Sequence, residues 1–151
     1  MTLQEVQVIA QICSSTFIGG SLLYAAIQFR AARSATLVAN FTRLVELQLQ
    51  LRRMRVEDPS LAHVYKHDVA NLGSDQEIRE YFMNLMQLSV FEIVWFGHRH
   101  GTIPDDYFES WARRMNSIKT EESFQKMVKN PSMKILHDDF EKYIKSFVEN
   151  K

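Results

Sequence analysis

One uninterrupted apolar segment near the N-terminus constrains the fold more than any other part of the chain. Residues 6–29 contain no Asp, Glu, Lys, Arg or His. A helix rises about 1.5 Å per residue, so this segment is roughly 36 Å long and can cross a hydrocarbon core of about 30 Å. The sequence therefore predicts a membrane-spanning helix, and the rest of the chain has to be arranged around it.

The charges that flank this segment predict its orientation. No Lys or Arg precedes it, whereas Arg30 and Arg33 follow it directly. Because Lys and Arg resist translocation, we expect a single-pass protein of the inner (cytoplasmic) membrane, with its N-terminus outside and its C-terminal domain in the cytoplasm. The alternatives are an unusually hydrophobic soluble helix and a cleaved signal peptide. A signal peptide fits poorly, because the stretch before the segment has Glu5 and no basic residue.

Small and polar side chains share one face of the predicted span. At 100° per residue they fall within a narrow arc, opposite Ile9 and Leu23. These residues, which we call the polar stripe, are Gln7, Gln11, Ser14, Ser21, Ala25 and Gln28. Such a stripe lets helices approach closely and gives amides hydrogen-bond partners within a membrane. We predict a transmembrane interface, in a homo-oligomer or with another membrane protein; a mildly polar anchor and a conducting pore are the alternatives.

The distribution of charge separates the two parts of the chain, although the formal net charge is zero. Residues 1–56 contain six Arg and two Glu, whereas residues 57–151 contain twelve Lys or Arg and sixteen Asp or Glu. A basic region beside a span suits contact with membrane lipid, because each cation near anionic lipid contributes about 1 kcal/mol to the binding free energy. The acidic remainder lacks a basic stripe with interleaved aromatic residues, so no nucleic-acid partner is expected. The only cysteine, Cys13, lies within the span, which excludes a disulfide framework.

The remaining pattern predicts helices throughout. Residues 31–55 contain no Pro or Gly, so the membrane helix should continue through them, with a broad apolar face that needs either later helices or a second copy as its partner. Ser74 and Glu77 form a capping-box pattern, and Gly101 is suited to a helix C-terminus. The later helices are predicted at about residues 60–70, 75–100, 104–118, 121–129 and from about 133 to the end.

The fold class predicted from these patterns is all-α, with a single N-terminal transmembrane helix that continues into a cytoplasmic helical bundle. We expect residues 1–30 to form the transmembrane anchor. Residues 31–56 should form a juxtamembrane amphipathic helix, and residues 57–151 a cytoplasmic helical domain.

Glu92 is the most unusual polar residue of the predicted domain, because it lies within the apolar run 88–96. A buried carboxylate has to find a donor or raise its pKa. Arg99, or Arg113 and Arg114 of the next helix, could supply that donor, and we take Glu92 and Arg99 as the buried polar candidates. A structural ion pair is the preferred interpretation, because a functional acid also needs a cleft and a second polarised group.

No pattern in the chain indicates catalysis. His63 and His67 are spaced i, i+4, which suits zinc, but the sequence offers no further ligands at metal-site spacing. It contains neither a Gly-x-Ser-x-Gly motif nor a glycine-rich phosphate loop. We therefore predict no catalytic residues, no metal site and no cofactor, and we do not expect an enzyme.

Several short motifs resemble a known group of proteins. They are Gln28-Phe29-Arg30 at the end of the apolar segment, Phe91-Glu92, His98-Arg99-His100-Gly101, the acidic pair Asp105-Asp106, and Trp111. Together they are similar to a widespread group of small bacterial membrane-anchored proteins of unknown function. The resemblance implies one N-terminal transmembrane helix and a cytoplasmic helical domain, and it implies no activity.

Three functions are compatible with these features. The first is a membrane-anchored, self-associating interaction or scaffold subunit. The second is an oligomeric membrane effector, in defence or stress signalling, whose cytoplasmic domain senses a ligand and whose span perturbs or permeates the membrane. The third is an enzyme at the inner leaflet that uses Glu92. We expect the first, because it requires only the features described above.

Overall fold

The structure is a computed structural model that describes residues 2–132 and 134–149. These residues form helices and short connections and include no strand, which confirms the all-α prediction. The first helix, α1, runs without interruption from Leu3 to Glu57. The predicted continuation of the apolar helix through residues 31–55 is therefore confirmed.

The other helices are shorter, and most agree with the predicted segments. Two 3₁₀ helices follow α1, at Pro59–Val64 and Lys66–Val69. The α-helices are α2 (Asp75–Arg99), α3 (Asp105–Ile118), α4 (Glu122–Lys129) and α5 (Asp138–Glu149). The last helix was expected from about residue 133, but residues 134–137 are not helical and α5 starts at Asp138; Met133 itself lies outside the described residues.

The region predicted as one α-helix at residues 60–70 is different in the structure. Tyr65 adopts an extended conformation (φ −120°, ψ 103°) and separates the two 3₁₀ helices. Runs of 3₁₀ structure are short because their hydrogen bonds have poorer geometry than those of an α-helix. His63 and His67 therefore do not share the face of one α-helix, and the spacing that suited zinc is not realised.

The boundaries of α2 come from local sequence signals. The Ser74 hydroxyl accepts a hydrogen bond from the Glu77 amide at 3.2 Å, and the Glu77 carboxylate accepts one from the Gly73 amide at 2.7 Å. These bonds satisfy amides that have no partner inside the helix. At the other end Gly101 has a φ of +70°, a conformation that favours glycine, so the chain leaves the helix where predicted.

The core of the molecule surrounds α2, which contacts α3, α4, α5 and the first 3₁₀ helix. Its side chains Ile78, Phe82, Leu88 and Phe91 are fully buried. The other helices complete this core with Met115, Phe124, Met127, Phe140 and Ile144. The chain divides into two compact units after Leu37, so the core belongs entirely to the second unit. The domain limits predicted at residues 30 and 56 stay predictions.

The broad apolar face predicted for residues 31–55 divides into two parts in the second unit. Val45 is buried, and the Phe41 ring stacks on Phe96 of α2 with 4.0 Å between the ring centroids. By contrast, Leu44, Leu47 and Leu51 are exposed. The helical domain therefore covers one side of this face and leaves the other side uncovered.

Candidate functional site

The first unit presents apolar side chains on its surface. α1 is long and apolar enough to cross a membrane, and its most apolar stretch has no buried residue. Phe17, Leu22 and Phe29 are among its exposed side chains. Exposed apolar surface of this extent is typical of residues that face lipid or a partner rather than water. The side chains of the predicted span are therefore exposed around the helix, where lipid or a partner can contact them.

The structure places the six residues of the polar stripe on this exposed helix. All are exposed except Ala25, which is half-buried. The Ser21 hydroxyl donates to the Phe17 carbonyl oxygen at 2.8 Å, so its hydrogen bond is made within the helix. The glutamine side chains of the stripe lie on the surface, where their amides can reach another helix. The use of this stripe as an interface stays a prediction.

The second unit contains a buried charged site at Glu92. The Glu92 side chain projects from the middle of α2 and is buried in the core. Its Oε1 atom accepts a hydrogen bond from the backbone amide of His137. The His137 ring lies against Trp95 and Phe96, at centroid distances of 5.9 and 5.5 Å. Glu92 thus holds the connection before α5 against α2.

Arg52 of α1 is the second buried charge. One guanidinium nitrogen donates to the Ser89 hydroxyl, one turn before Glu92 on α2. The other donates to the Gln48 side chain at 3.2 Å and to the Ile135 carbonyl oxygen at 3.3 Å. Ser89 in turn donates to the Leu85 carbonyl oxygen at 2.9 Å. Arg52 therefore connects α1 with α2 and with the segment before α5.

We call Arg52, Ser89, Glu92 and the backbone groups of Ile135 and His137 the buried charge cluster. Burial raises the pKa of Glu92 to about 7, although the His137 amide and the Arg52 charge both oppose this. Burial also lowers the pKa of Arg52 to about 10, which Glu92 partly opposes. Arg52 consequently remains charged at neutral pH, whereas Glu92 gains or loses its proton there.

The partners of Glu92 are not the residues that the sequence indicated. Arg99 is half-exposed, pairs with Asp139 of α5 at 2.9 Å, and lies over the Trp95 ring. Arg113 interacts on its own helix, with Ser110 and Glu109. The arginine whose charge acts on Glu92 is Arg52 of α1, and the hydrogen bonds of Arg52 go to Ser89, Gln48 and Ile135.

One signal in the sequence could have identified Arg52. It lies seven residues after Val45, which itself lies seven residues after Val38. Positions seven apart fall on nearly the same side of a helix, so Arg52 shares the side that Val45 buries. However, a charged residue normally indicates the exposed face of a helix, so the charge of Arg52 argued against its burial.

A cavity of about 130 Å³ is lined in part by Arg52. Its polar lining consists of Gln48, Arg52, Arg55, Asp68 and Tyr81. Arg55 and Asp68 form an ion pair of 2.9 Å. A polar cavity of this size can hold water. Within residues 2–132 and 134–149, no group of three or more His, Cys, Asp or Glu side chains is arranged to hold a metal ion.

The buried charge cluster joins three elements of the fold. The hydrogen bonds of Arg52 and Glu92 are made to groups of the protein itself, on α1, α2 and the segment before α5. A buried charged group that loses its partners strongly destabilises a fold. The cluster therefore fixes how these elements pack.

Comparisons of the chain with models of known protein families, with curated proteins and with solved structures give no match. The chain is a small helical protein with one long apolar helix near its N-terminus.

Proposed function

We propose that this protein is a membrane-anchored, self-associating scaffold subunit that holds a helical domain at the membrane for interaction with partners. The exposure of the apolar stretch of α1 carries this proposal, because none of the described residues of the first unit covers it. Lipid is the environment in which such a surface is stable. The polar stripe supports self-association, since small and polar residues on one face favour close helix packing.

The proposed location is the inner membrane, with a single pass and a cytoplasmic C-terminal domain. The absence of basic residues before the apolar segment and the arginines after it support this orientation. The motifs described above support membership of the bacterial group of small membrane-anchored proteins.

A scaffold role also suits the buried charge cluster. Its charged side chains bond to backbone and side-chain groups of the domain itself, so they stabilise one packing arrangement. An interaction domain needs a surface that keeps its shape, and such a network specifies it.

The test of the anchor is membrane fractionation after an alkaline wash, which removes peripheral proteins. We expect the full chain to remain in the membrane pellet. Replacing Ile12 and Leu22 by Lys should release it, because each central Lys opposes insertion by about 2.5–3.5 kcal/mol. The matched control replaces the exposed Leu61 and Val64 of the second unit by Lys, which should leave the chain in the pellet. Recovery of the unaltered chain in the wash would contradict the proposal.

The orientation has a separate test. Single cysteines are introduced at Thr2 and at Ser146 in a Cys13→Ser chain and are treated with a membrane-impermeant maleimide. We expect labelling of residue 2 in intact cells and labelling of residue 146 only after lysis. The reverse pattern would show the opposite topology.

A membrane effector is the second candidate function. The exposed glutamine side chains of the polar stripe favour it, because copies that face a common centre would surround a polar path. The test is dye leakage from liposomes that contain the protein. The altered chain, in which Gln11→Leu and Ser14→Leu are combined, is compared with the unaltered chain. Leakage that disappears in the altered chain would favour the effector, and equal or no leakage would favour the scaffold.

A further inference from the structure

Four exposed apolar side chains of α1 form a regular seam in the second unit. They are Leu44, Leu47, Leu51 and Met54, with spacings of three, four and three residues. Each is between 50% and 63% exposed. This spacing is that of the a and d positions of a coiled coil, where apolar residues of one helix insert between those of another. We call these residues the apolar seam.

The seam is distinct from the side of α1 that supports the fold. Val45 and Arg52, the residues of α1 that are buried, lie one position after Leu44 and Leu51 and point about 100° away from them. Arg43, Gln50 and Arg53 lie on the remaining side and are exposed. The helical domain therefore packs on one side of α1, and a second side is exposed to solvent. Among the described residues of the second unit, none covers the seam.

We propose that the apolar seam pairs with the same seam of a second copy, as a short parallel, in-register coiled coil. The proposal rests on the proposed membrane anchor. Two chains anchored in one membrane bring equivalent residues to the same depth, which favours parallel and in-register pairing. Leu44 and Leu51 then occupy a positions, and Leu47 and Met54 occupy d positions.

The charges beside the seam are compatible with this pairing. In a parallel coiled coil a g residue faces the e residue five positions later on the other chain. Arg43 then faces Gln48 of the second copy, and Gln50 faces Arg55 of the second copy. No like charges oppose each other at these positions, and the pairing leaves in place the bond from Arg52 to Gln48 and the ion pair of Arg55 with Asp68 within each copy.

The size of the seam explains why the anchor is needed. A stable interface between free proteins buries about 800 Å² on each partner. Four side chains that are already partly covered provide only part of such an area. Anchoring raises the effective concentration of one chain near another, and this can make a short seam sufficient.

The experiment is cysteine cross-linking of the full chain in native membranes. Leu47 or Leu51 is replaced by Cys in a Cys13→Ser chain, and Glu46 or Arg53 is replaced as the matched control on the other side of α1. All four positions are exposed, so the substitutions leave the core intact. We expect mild oxidation to give disulfide dimers at Leu47 and Leu51 in at least roughly fivefold excess over the controls, because a disulfide requires Cα atoms within about 7 Å.

A second variant tests the same surface by repulsion. Leu44→Glu is added to the Leu47→Cys chain, which places two carboxylates opposite each other in the paired seam. We expect loss of the dimer with an unchanged helical circular dichroism spectrum. Equal cross-linking on both sides of α1, or no cross-linking at the seam in a chain that fractionates with the membrane, would overturn the pairing alone. A chain that is released by the alkaline wash would overturn the anchor as well.

Discussion

The two units of this molecule place the same residue type in opposite environments. Phe17, in the first unit, is 82% exposed, whereas Phe91, in the second, is completely buried. Phe91 lies among Phe108, Phe140 and Tyr143, with ring centroids about 6 Å away. Both positions belong to apolar helical runs, so the difference comes from the surroundings and not from the local sequence.

With the proposed membrane anchor, the apolar residues of the two units lie in two different solvents, lipid and water. In water an apolar side chain gains free energy when other side chains cover it. In lipid it is already in an apolar medium, and small or polar groups determine which helices meet. Matched substitutions of one residue type in each unit can therefore measure the difference. Unfolding can be followed by tryptophan fluorescence in mild detergent, because Trp95 and Trp111 both lie in the second unit.

The largest effect is expected for phenylalanine. Phe91→Ala removes a fully buried ring and should lower the free energy of unfolding by about 3–5 kcal/mol. Phe17→Ala should leave it unchanged, because the ring is exposed and belongs to the first unit. Chemical denaturation of both variants provides the measurement. A similar loss at both positions would show that the two units unfold together, and it would contradict the expected difference between Phe91 and Phe17.

The next effect concerns glutamate and pH. The pKa of Glu92 is about 7 in the folded chain and near 4.5 when unfolded, so the folded state binds the proton more tightly. The contribution of this group is fully present below pH 4.5 and is lost as the pH rises through 7. We expect a loss of about 3 kcal/mol in the free energy of unfolding over this range, at about 1.4 kcal/mol per pKa unit.

Two variants isolate this contribution. Glu92→Gln removes the titrating group and should flatten the decline of the free energy of unfolding between pH 4.5 and 7. Glu5→Gln, in the exposed first turn of α1, should leave the decline as it is. An unchanged slope in Glu92→Gln would assign the pH dependence to another group.

A smaller effect is expected for serine. Ser89→Ala removes the acceptor of one Arg52 nitrogen and should lower the free energy of unfolding by about 1–3 kcal/mol, because a buried charged donor is left unpaired. Ser21→Ala loses only a bond to the carbonyl of its own helix, and its effect should be within about 0.5 kcal/mol. The denaturation midpoints of the two variants provide the measurement. Equal shifts for Ser89→Ala and Ser21→Ala would contradict the expected difference.

The smallest effect is expected for glycine. A Cβ atom at Gly97 would lie 2.8 Å from Ile103 Cδ1 and 2.9 Å from Cγ1, so Gly97→Ala forces this side chain to move. The strain exceeds the gain in helix propensity, and we expect a net loss of about 1 kcal/mol. At Gly20 nothing lies within 4 Å of the new atom, and Gly20→Ala should cause no loss. Adding Ile103→Val to Gly97→Ala should recover part of the stability.

The elements that depend on local signals were predictable from the sequence. The Ser74 cap, the positive φ of Gly101 and the uninterrupted α1 follow from a few neighbouring residues each. The buried charge cluster was only half predictable. The apolar run around Glu92 indicated its burial, but Arg52 bonds to a carbonyl oxygen 83 residues away. The residue pattern of α1 does not identify so remote a partner, because this contact depends on how the helices pack. The two 3₁₀ helices, which begin at Pro59 and Lys66, were not predicted, because the local preference between 3₁₀ and α structure is weak in such short segments.

The separation of Arg52 and Ile135 along the sequence, 83 residues, also has a consequence for biosynthesis. A ribosome completes α1 and α2 long before it adds residues 135 and 137, which supply the Ile135 carbonyl and the His137 amide. Until then Glu92 lacks the His137 amide, and Arg52 has only Ser89 and Gln48 as hydrogen-bond acceptors. A chain that stops before residue 135 lacks both late bonds, so the packing of α1 and α2 around this cluster is completed only by residues far along the sequence.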